Sequence, residues 1–233
     1  IDGDTIVVSI NRENKTVRLL SINTPEKNRF YYNEAKQFLE QYLGKEIILE
    51  SLDEDNRQDK YKRELRYVYV DNGKVMLNAE ILKLGLATLY YYEQDAYIGK
   101  LDSYEEYARN NELGIWQKSK DICASCLALN NIDNGKGKDD SKPGTEFIEI
   151  VNLCVYDCSL NGFNVKDDAS HFYAFGDIVL RKKSSIKLYN GLGNNTDGDL
   201  YWQNKGVANI WNDDHDSVFI RDKEGRLVLF YRY

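Results

Sequence analysis

Val17-Arg18-Leu19-Leu20-Ser21-Ile22-Asn23-Thr24-Pro25-Glu26 sets a guanidinium inside an apolar run and ends that run on a proline followed by a carboxylate. Arg18 stands between Val17 and Leu19, so in a strand it points away from the face those two bury. Pro25 ends the strand and biases Thr24 to an extended backbone, which fixes where Glu26 emerges. Upstream, Asp2-Gly3-Asp4-Thr5 reads as a turn or bulge entering an alternating strand through Ile6, Val8 and Ile10. Asp2 reads as a turn residue. Bringing Asp4 beside Asn23 and the Thr24 carbonyl gathers three hard oxygen donors near a Glu and an Arg. Such a set suits metal-assisted attack on a phosphodiester.

Downstream, residues 33–44 read as a helix capped by Asn33, with Ala35, Phe38, Leu39 and Tyr42 on one face and Gly44 as its stop. Residues 45–52 read as a buried strand and 53–60 as a charged loop. Residues 65–70 alternate and close on Asp71-Asn72-Gly73. Helices are expected over 77–84, stopped by Gly85, and over 101–113, with Gly114 just past the end. Residues 130–145, rich in Asn, Asp, Lys and Gly, read as a long polar loop. From residue 146 no helical period is visible. Alternating runs at 146–151, 171–175, 217–220 and 227–233, separated by turns such as Asn161-Gly162 and Asp197-Gly198, predict an all-β sandwich. The expected division is 1–118, then 119–145 as linker and first strand region, then 146–233.

The opening stretch resembles the staphylococcal nuclease (thermonuclease) family, and further motifs follow in order. They are Asp59-Lys60-Tyr61-Lys62-Arg63, Leu77-Asn78-Ala79-Glu80, Gly85-Leu86-Ala87 with tyrosines at 90, 91 and 92, and Asn111-Glu112-Leu113-Gly114-Ile115-Trp116. The resemblance implies an OB-fold β-barrel with packed α-helices, an α+β unit. It also implies calcium-dependent hydrolysis of DNA and RNA with low sequence specificity, leaving 3′-phosphates. Arg18, Glu26 and Arg63 take the catalytic positions, Asp4, Asn23 and Thr24 the metal positions, and Lys60, Tyr61 and Tyr91 the substrate positions. Four departures stand out. Asn23 replaces the usual Asp, so a weakened Ca2+ site is expected. Lys62 stands where Gly is usual, and Glu93 where a second Tyr is. The loop over residues 27–33 is also shorter. Loss of a metal ligand leaves a competing reading, a nuclease-fold binding module that recognises nucleic acid or protein.

Residues 120–233 resemble the lamin-tail domain, an immunoglobulin-like sandwich, through residues 146–152, Ser159-Leu160-Asn161-Gly162-Phe163, Leu200-Tyr201-Trp202, Ile210-Trp211-Asn212 and the final strand. A protein or surface partner is expected for it.

Cys123-x2-Cys126 and Cys154-x3-Cys158 satisfy the spacing of a tetrathiolate zinc site or of two disulfides. Disulfides better suit a secreted nuclease. His171 and His215 read as surface or packing residues, and residues 194–199 as a solvated hairpin loop. Net charge is −7. Of 31 basic and 38 acidic residues, 17 and 21 lie within 1–118. Neither half is basic, so phosphate attraction must be local, from Arg18, Lys60, Lys62, Arg63 and Arg66, and sensitive to salt. No apolar run approaches the ~20 residues of a membrane-spanning helix. Because the chain opens on Ile1 and its single Met is Met76, a processed, secreted protein is expected, its signal peptide removed and a leading strand partly missing.

Overall fold

Alternation through the first twenty residues builds a hairpin. Strand β1 (Thr5–Ile10) pairs antiparallel with β2 (Glu13–Leu19), with Ile10 opposite Glu13. The two-residue connection, Asn11 and Arg12, has φ of 52° and 70°, the twist a tight hairpin needs. The apolar run after Arg18 is not one strand. It breaks at Leu20-Ser21, where Ser21 has φ 58°, and resumes as β3 (Ile22–Asn23). Two cross-links set the break: Leu20 N donates to Arg66 O (2.9 Å), and the Asn78 amide donates to Leu20 O (2.8 Å).

The computed structural model describes residues 2–52, 58–91, 96–135, 146–169, 171–204 and 209–233. The chain divides into two units, Ile1–Gln117 and Lys118–Tyr233. No helix of the described residues is long and apolar enough to cross a membrane.

In the first unit, α1 (Tyr32–Glu40) is followed by β4 (Ile48–Glu50), β5 (Glu64–Val70), β6 (Val75–Met76), α2 (Leu77–Lys83), β7 (Thr88–Leu89) and α3 (Ile98–Asn110). The curled sheet runs β1-β2-β5-β4, with β6 also on β5, while β3 pairs with β7. The β2–β5 pair is parallel, Arg18 opposite Leu65. Asn78, fully buried at the start of α2, stitches this region. Its Oδ1 accepts Val68 N (2.9 Å), and its Nδ2 reaches Leu20 O and Arg66 O (3.4 Å).

Three sequence readings are corrected here. Asn33 lies inside α1, which starts after a left-handed Tyr31 (φ 67°) with no side-chain cap, although Ala35, Phe38 and Leu39 are buried as expected. The run 45–52 is a three-residue edge strand, with Ile48 51% exposed, because β4 and β1 line a groove of about 590 Å³. Helix α3 ends earlier than expected, and Glu112 (φ 52°) takes the left-handed position after it. Gly114 (φ 54°) instead opens a 3-10 turn, Gly114–Trp116, that lies against Gly85 (φ 68°). A Cβ on Gly114 would come within 2.0 Å of Gly85 O, and one on Gly85 within 2.2 Å of Leu113 O. Only glycine fits at either place. The expected charged loop falls partly on residues 53–57, outside the described residues.

The second unit carries β8 (Leu127–Asp133), β9 (Phe147–Asn152), β10 (Cys158–Ser159), β11 (Asn164–Lys166), β12 (Phe172–Ala174), β13 (Val179–Leu180), β14 (Ser185–Tyr189), β15 (Asp199–Tyr201), β16 (Ser217–Arg221) and β17 (Leu227–Arg232). Two four-stranded sheets, β15-β14-β9-β8 and β12-β11-β16-β17, bury side chains in one core, among them Ile148, Ile150, Leu188, Val165 and Val218, and Trp211 from the loop before β16 joins them. The expected all-β sandwich is borne out. The polar stretch from Asn130 is not wholly loop. Residues 130–133 belong to β8, whose register shifts between Leu129 and Asn131, and Asn130 reaches across to Glu149 (2.7 Å). An edge strand with a solvated face has no need of apolar alternation. The stretch 194–199 is not a hairpin either, because it leads between parallel strands, β14 and β15.

Candidate active site

The turn before β1 needs a glycine, since a Cβ on Gly3 would meet Ala35 Cβ at 2.6 Å and Thr24 Oγ1 at 2.9 Å. That close approach presses Asp4, 6% exposed, against the strand end carrying Thr24. Asp4 Oδ2 accepts from Thr24 N (3.1 Å) and Thr24 Oγ1 (3.0 Å) and lies 3.2 Å from Arg18 Nη2. Asp4 Oδ1 accepts the Thr5 hydroxyl (3.0 Å). Its backbone carbonyl accepts Leu19 N (2.8 Å), which locks the turn to β2.

Arg18 points out of β2 while Val17 and Leu19 are buried, as the alternation predicts. Its Nη1 donates to Leu19 O (2.7 Å). Arg63 comes from the turn before β5. Asp59 shapes that turn by accepting Tyr61 N and Arg63 N (2.9 Å each) on Oδ1, and it holds Arg63 Nε (2.7 Å) on Oδ2. Arg63 Nη1 then reaches Thr5 Oγ1 (3.4 Å). Arg18 from β2 and Arg63 from the turn before β5 therefore both meet the Asp4–Thr5 corner.

Electrostatics follow the burial. Desolvation pushes the Asp4 carboxyl above its ordinary value, Arg18 opposes this, and the neighbouring Asp2 charge adds to it. Asp2 is half-buried, which alone would raise it. Hydrogen bonds with Asp4 and Thr5 and the Arg18 charge bring it below its usual range instead. For Asp59, burial is likewise outweighed, by hydrogen bonds from Arg63 and Tyr61 and by the Arg63 charge, and its carboxyl is lowered.

Of the other expected site residues, Asn23 is half-buried in β3 opposite Thr88, whose hydroxyl donates to Asn23 O (3.3 Å). Glu26 is exposed. Lys60 Nζ and Arg63 Cζ lie 5.2 and 5.4 Å from the centre of the Tyr61 ring, which is 68% exposed. Tyr91 packs half-buried against the core of the first unit, while Tyr92 and Glu93 lie outside the described residues. Two working residues carried no assigned role in the sequence reading: Thr5, which bridges Asp4 to Arg63, and Asp59, which anchors Arg63. An Asp two residues before one amide and four before another, in a turn, is the pattern that could have flagged Asp59.

Asp4, Asn23 and Thr24 offer only hard oxygens. A buried carboxylate that gains from a neighbouring positive charge fits a divalent cation of the calcium type.

Residues 16–118 match the family described as staphylococcal nuclease homologue. Thermonuclease of Staphylococcus intermedius is 30% identical over 125 residues, covering 51% of this chain and 73% of that protein. The chain belongs to the staphylococcal nuclease family. Endonuclease YncB of Bacillus subtilis is 37% identical over 127 residues, 51% of this chain and 59% of the relative. The SPbeta prophage-derived endonuclease YokF of the same organism is 36% identical, again over 51% of this chain but 42% of its own length. The match thus spans about half the length of those two endonucleases. Residues 125–233 match the Lamin Tail Domain, so a second family follows the nuclease domain.

Proposed function

We propose that the first unit hydrolyses phosphodiester bonds of DNA and RNA with little sequence preference, using calcium as its cation. One observation carries the reading: Arg18, on β2, and Arg63, in the turn before β5, converge on the Asp4–Thr5 corner. Each guanidinium has five N–H donors in a plane. Anchoring some of them on Asp4, Leu19 and Asp59 fixes the direction in which the rest are offered. In this reading both present charge-assisted hydrogen bonds to non-bridging phosphate oxygens and stabilise the charge that grows there as water adds to phosphorus. Glu26 takes a proton from that water or orients it. The exposed Tyr61 ring stacks on a base, with Lys60 beside it for a phosphate and Tyr91 as a further substrate contact. Calcium, when bound, would be held by oxygens of Asp4, Asn23 and Thr24 and would supply positive charge beside the phosphate.

The test is cleavage of single- and double-stranded DNA and of RNA with added Ca2+ and with chelator, for the parent, Arg18→Ala and Arg63→Ala. Expected is calcium-dependent cleavage that each variant slows by roughly 10²–10³-fold while staying folded. Folded variants within a few-fold of the parent would overturn the arginine roles. Asn23, neutral in a metal position, favours the second reading, a nuclease-fold binding module. A parent that binds nucleic acid without cutting it at any calcium level would select that reading. For the second unit we propose a binding role toward a protein or surface partner, since a sandwich alone names no activity. Two disulfides in that unit support a secreted protein.

A further inference from the structure

The four cysteines of the second unit lie on two facing turns. In the first, residues 122–126, Cys123 N donates to Asp121 Oδ1 (2.8 Å), and Cys126 N and Leu127 N both donate to Cys123 O. In the second, Asn152 Oδ1 accepts Cys154 N (2.8 Å), and Asn152 Nδ2 holds Tyr156 O (3.0 Å) and Leu180 O (2.9 Å). Leu153 N donates to Cys126 O (2.8 Å) and joins the turns. Backbone and amide bonds, rather than sulfur bridging, thus set the shape of each turn.

The sulfurs are paired as Cys123–Cys158 and Cys126–Cys154, with Cα separations of 5.8 and 5.3 Å. The pairs are not separate from one another. Cys154 Sγ and Cys158 Sγ are 3.6 Å apart without being bonded, and the sulfurs of Cys123, Cys154 and Cys158 all lie within 4.8 Å of each other. Cys126 lies outside that close group and joins it through Cys154, to which it is bonded. Three sulfurs thus stand close enough for one ion, and the fourth, on the same turn as Cys123, is one bond away. With Zn–S near 2.3 Å, a tetrahedron puts its sulfurs about 3.8 Å apart, close to the 3.6 Å between Cys154 Sγ and Cys158 Sγ.

We propose that the reduced chain holds one zinc ion on Cys123, Cys126, Cys154 and Cys158, as a tetrathiolate state that excludes the two disulfides. Burial argues the same way. Cys123 and Cys154 are 4% exposed and Cys158 is 0%, where a bare thiolate is costly and a divalent, thiophilic ion offsets that cost. Lys183, whose ammonium donates to Leu153 O (2.6 Å), adds positive charge beside the second turn. A phosphine reductant links the two states. For each disulfide, one phosphine and one water break the S–S bond, giving two thiols and one phosphine oxide. Zinc then replaces up to four thiol protons, which pass to the buffer. The end of the sandwich is clamped in both redox states, by covalent bonds in one and by coordination in the other.

The experiment uses the full chain, reduced with a water-soluble phosphine in denaturant, refolded without oxygen, freed of phosphine and titrated with Co2+. Expected are the strong visible bands and sulfur-to-cobalt charge transfer of a tetrahedral thiolate site, saturating at one thiolate-bound cobalt per chain. One equivalent of Zn2+ should abolish those bands, and the oxidised chain should show none of them. If the reduced chain stays unfolded without metal, recovery of near-ultraviolet dichroism on adding zinc is the supporting result, and failure to recover overturns the proposal. Substoichiometric cobalt, or equal binding by a Cys123→Ser, Cys158→Ser double variant, also overturns it. Nuclease activity does not enter the readout, so this result stands apart from the assignment of the first unit.

Discussion

Asn78→Ala removes one side chain and should loosen both arginine-bearing strands together. Asn78 is 0% exposed, and its amide satisfies Val68 N at 2.9 Å and Leu20 O at 2.8 Å, with a longer reach to Arg66 O. Alanine leaves a buried donor on β5 and a buried acceptor just after β2. An unsatisfied buried group costs about 1–3 kcal/mol, so two of them predict a loss of about 3–4 kcal/mol. A loss of that size is a large fraction of a typical domain's stability. Hydrogen exchange read by mass spectrometry across a urea series separates residues 2–117 from the second unit, which should not change. Peptides containing Leu20 and Val68 should exchange first. Asn78→Asp keeps an acceptor for Val68 N, loses the donor and buries a charge, so it should be no better than alanine at neutral pH. A loss under about 1 kcal/mol for Asn78→Ala, at the low end for a single such group, would refute the bridging argument.

Asn23→Asp should tighten Ca2+ binding in calorimetry and shift the activation of cleavage to lower calcium, because it restores a carboxylate at nearly constant shape; unchanged metal dependence would remove residue 23 from the ligand set. Asp59→Asn should lower kcat more than it raises KM by leaving Arg63 less firmly oriented, and an effect confined to KM would show Arg63 to be a ground-state binder only. The second unit should lose stability as pH rises from about 4 to about 7 through Asp168, and further above about 6.5 through His171. Burial holds Asp168 up at about 7, with Arg232 opposing and Asp216 adding, so this carboxyl takes up a proton on folding and is penalised as pH rises. The hydrogen bond to Asp167 raises His171, whose contribution is present below its unfolded pKa and lost as pH climbs through the folded one. Each group contributes a slope of at most about 1.4 kcal/mol per pH unit. Urea midpoints of the second unit at several pH values would check this, and Asp168→Asn should flatten the curve.

The sequence carried the site further than it carried the strands around it. Arg18 between two buried neighbours, and Asp4 behind a glycine, were legible because alternation and the Asp-Gly turn act over two or three residues. The break at Leu20-Ser21 was not, because partners at positions 66 and 78 impose it and the local apolar pattern runs straight through it. Glu105 was hidden for a similar reason. A glutamate in α3 reads as a solvated residue until β7 brings Leu89 N to within 2.7 Å of its carboxylate. In the second unit β8 was masked by its own polarity, since an edge strand with an outward-facing Asn has no reason to look apolar. Thr5 was missed because its partner Arg63 lies 58 positions away.

The contact between Gly85 and Gly114 has a consequence for how related chains can be compared. Each position excludes even a methyl group because backbone of the facing segment is already there, Leu113 O against Gly85 and Gly85 O against Gly114. No compensating exchange exists, since a glycine cannot shrink to make room for its partner. Elsewhere in a core, a gain of volume at one site can be answered by a loss at another, and paired changes then betray that the two touch. Here neither position can vary, so this seam should leave no covariation between its two columns in any collection of relatives. A contact map inferred from correlated substitutions would be blank where α2 ends against the 3-10 turn, although Ile115 N donates to Gly85 O at 2.8 Å across it. A saturation scan would return two separately intolerant glycines, and their dependence on one another would become visible only in the coordinates.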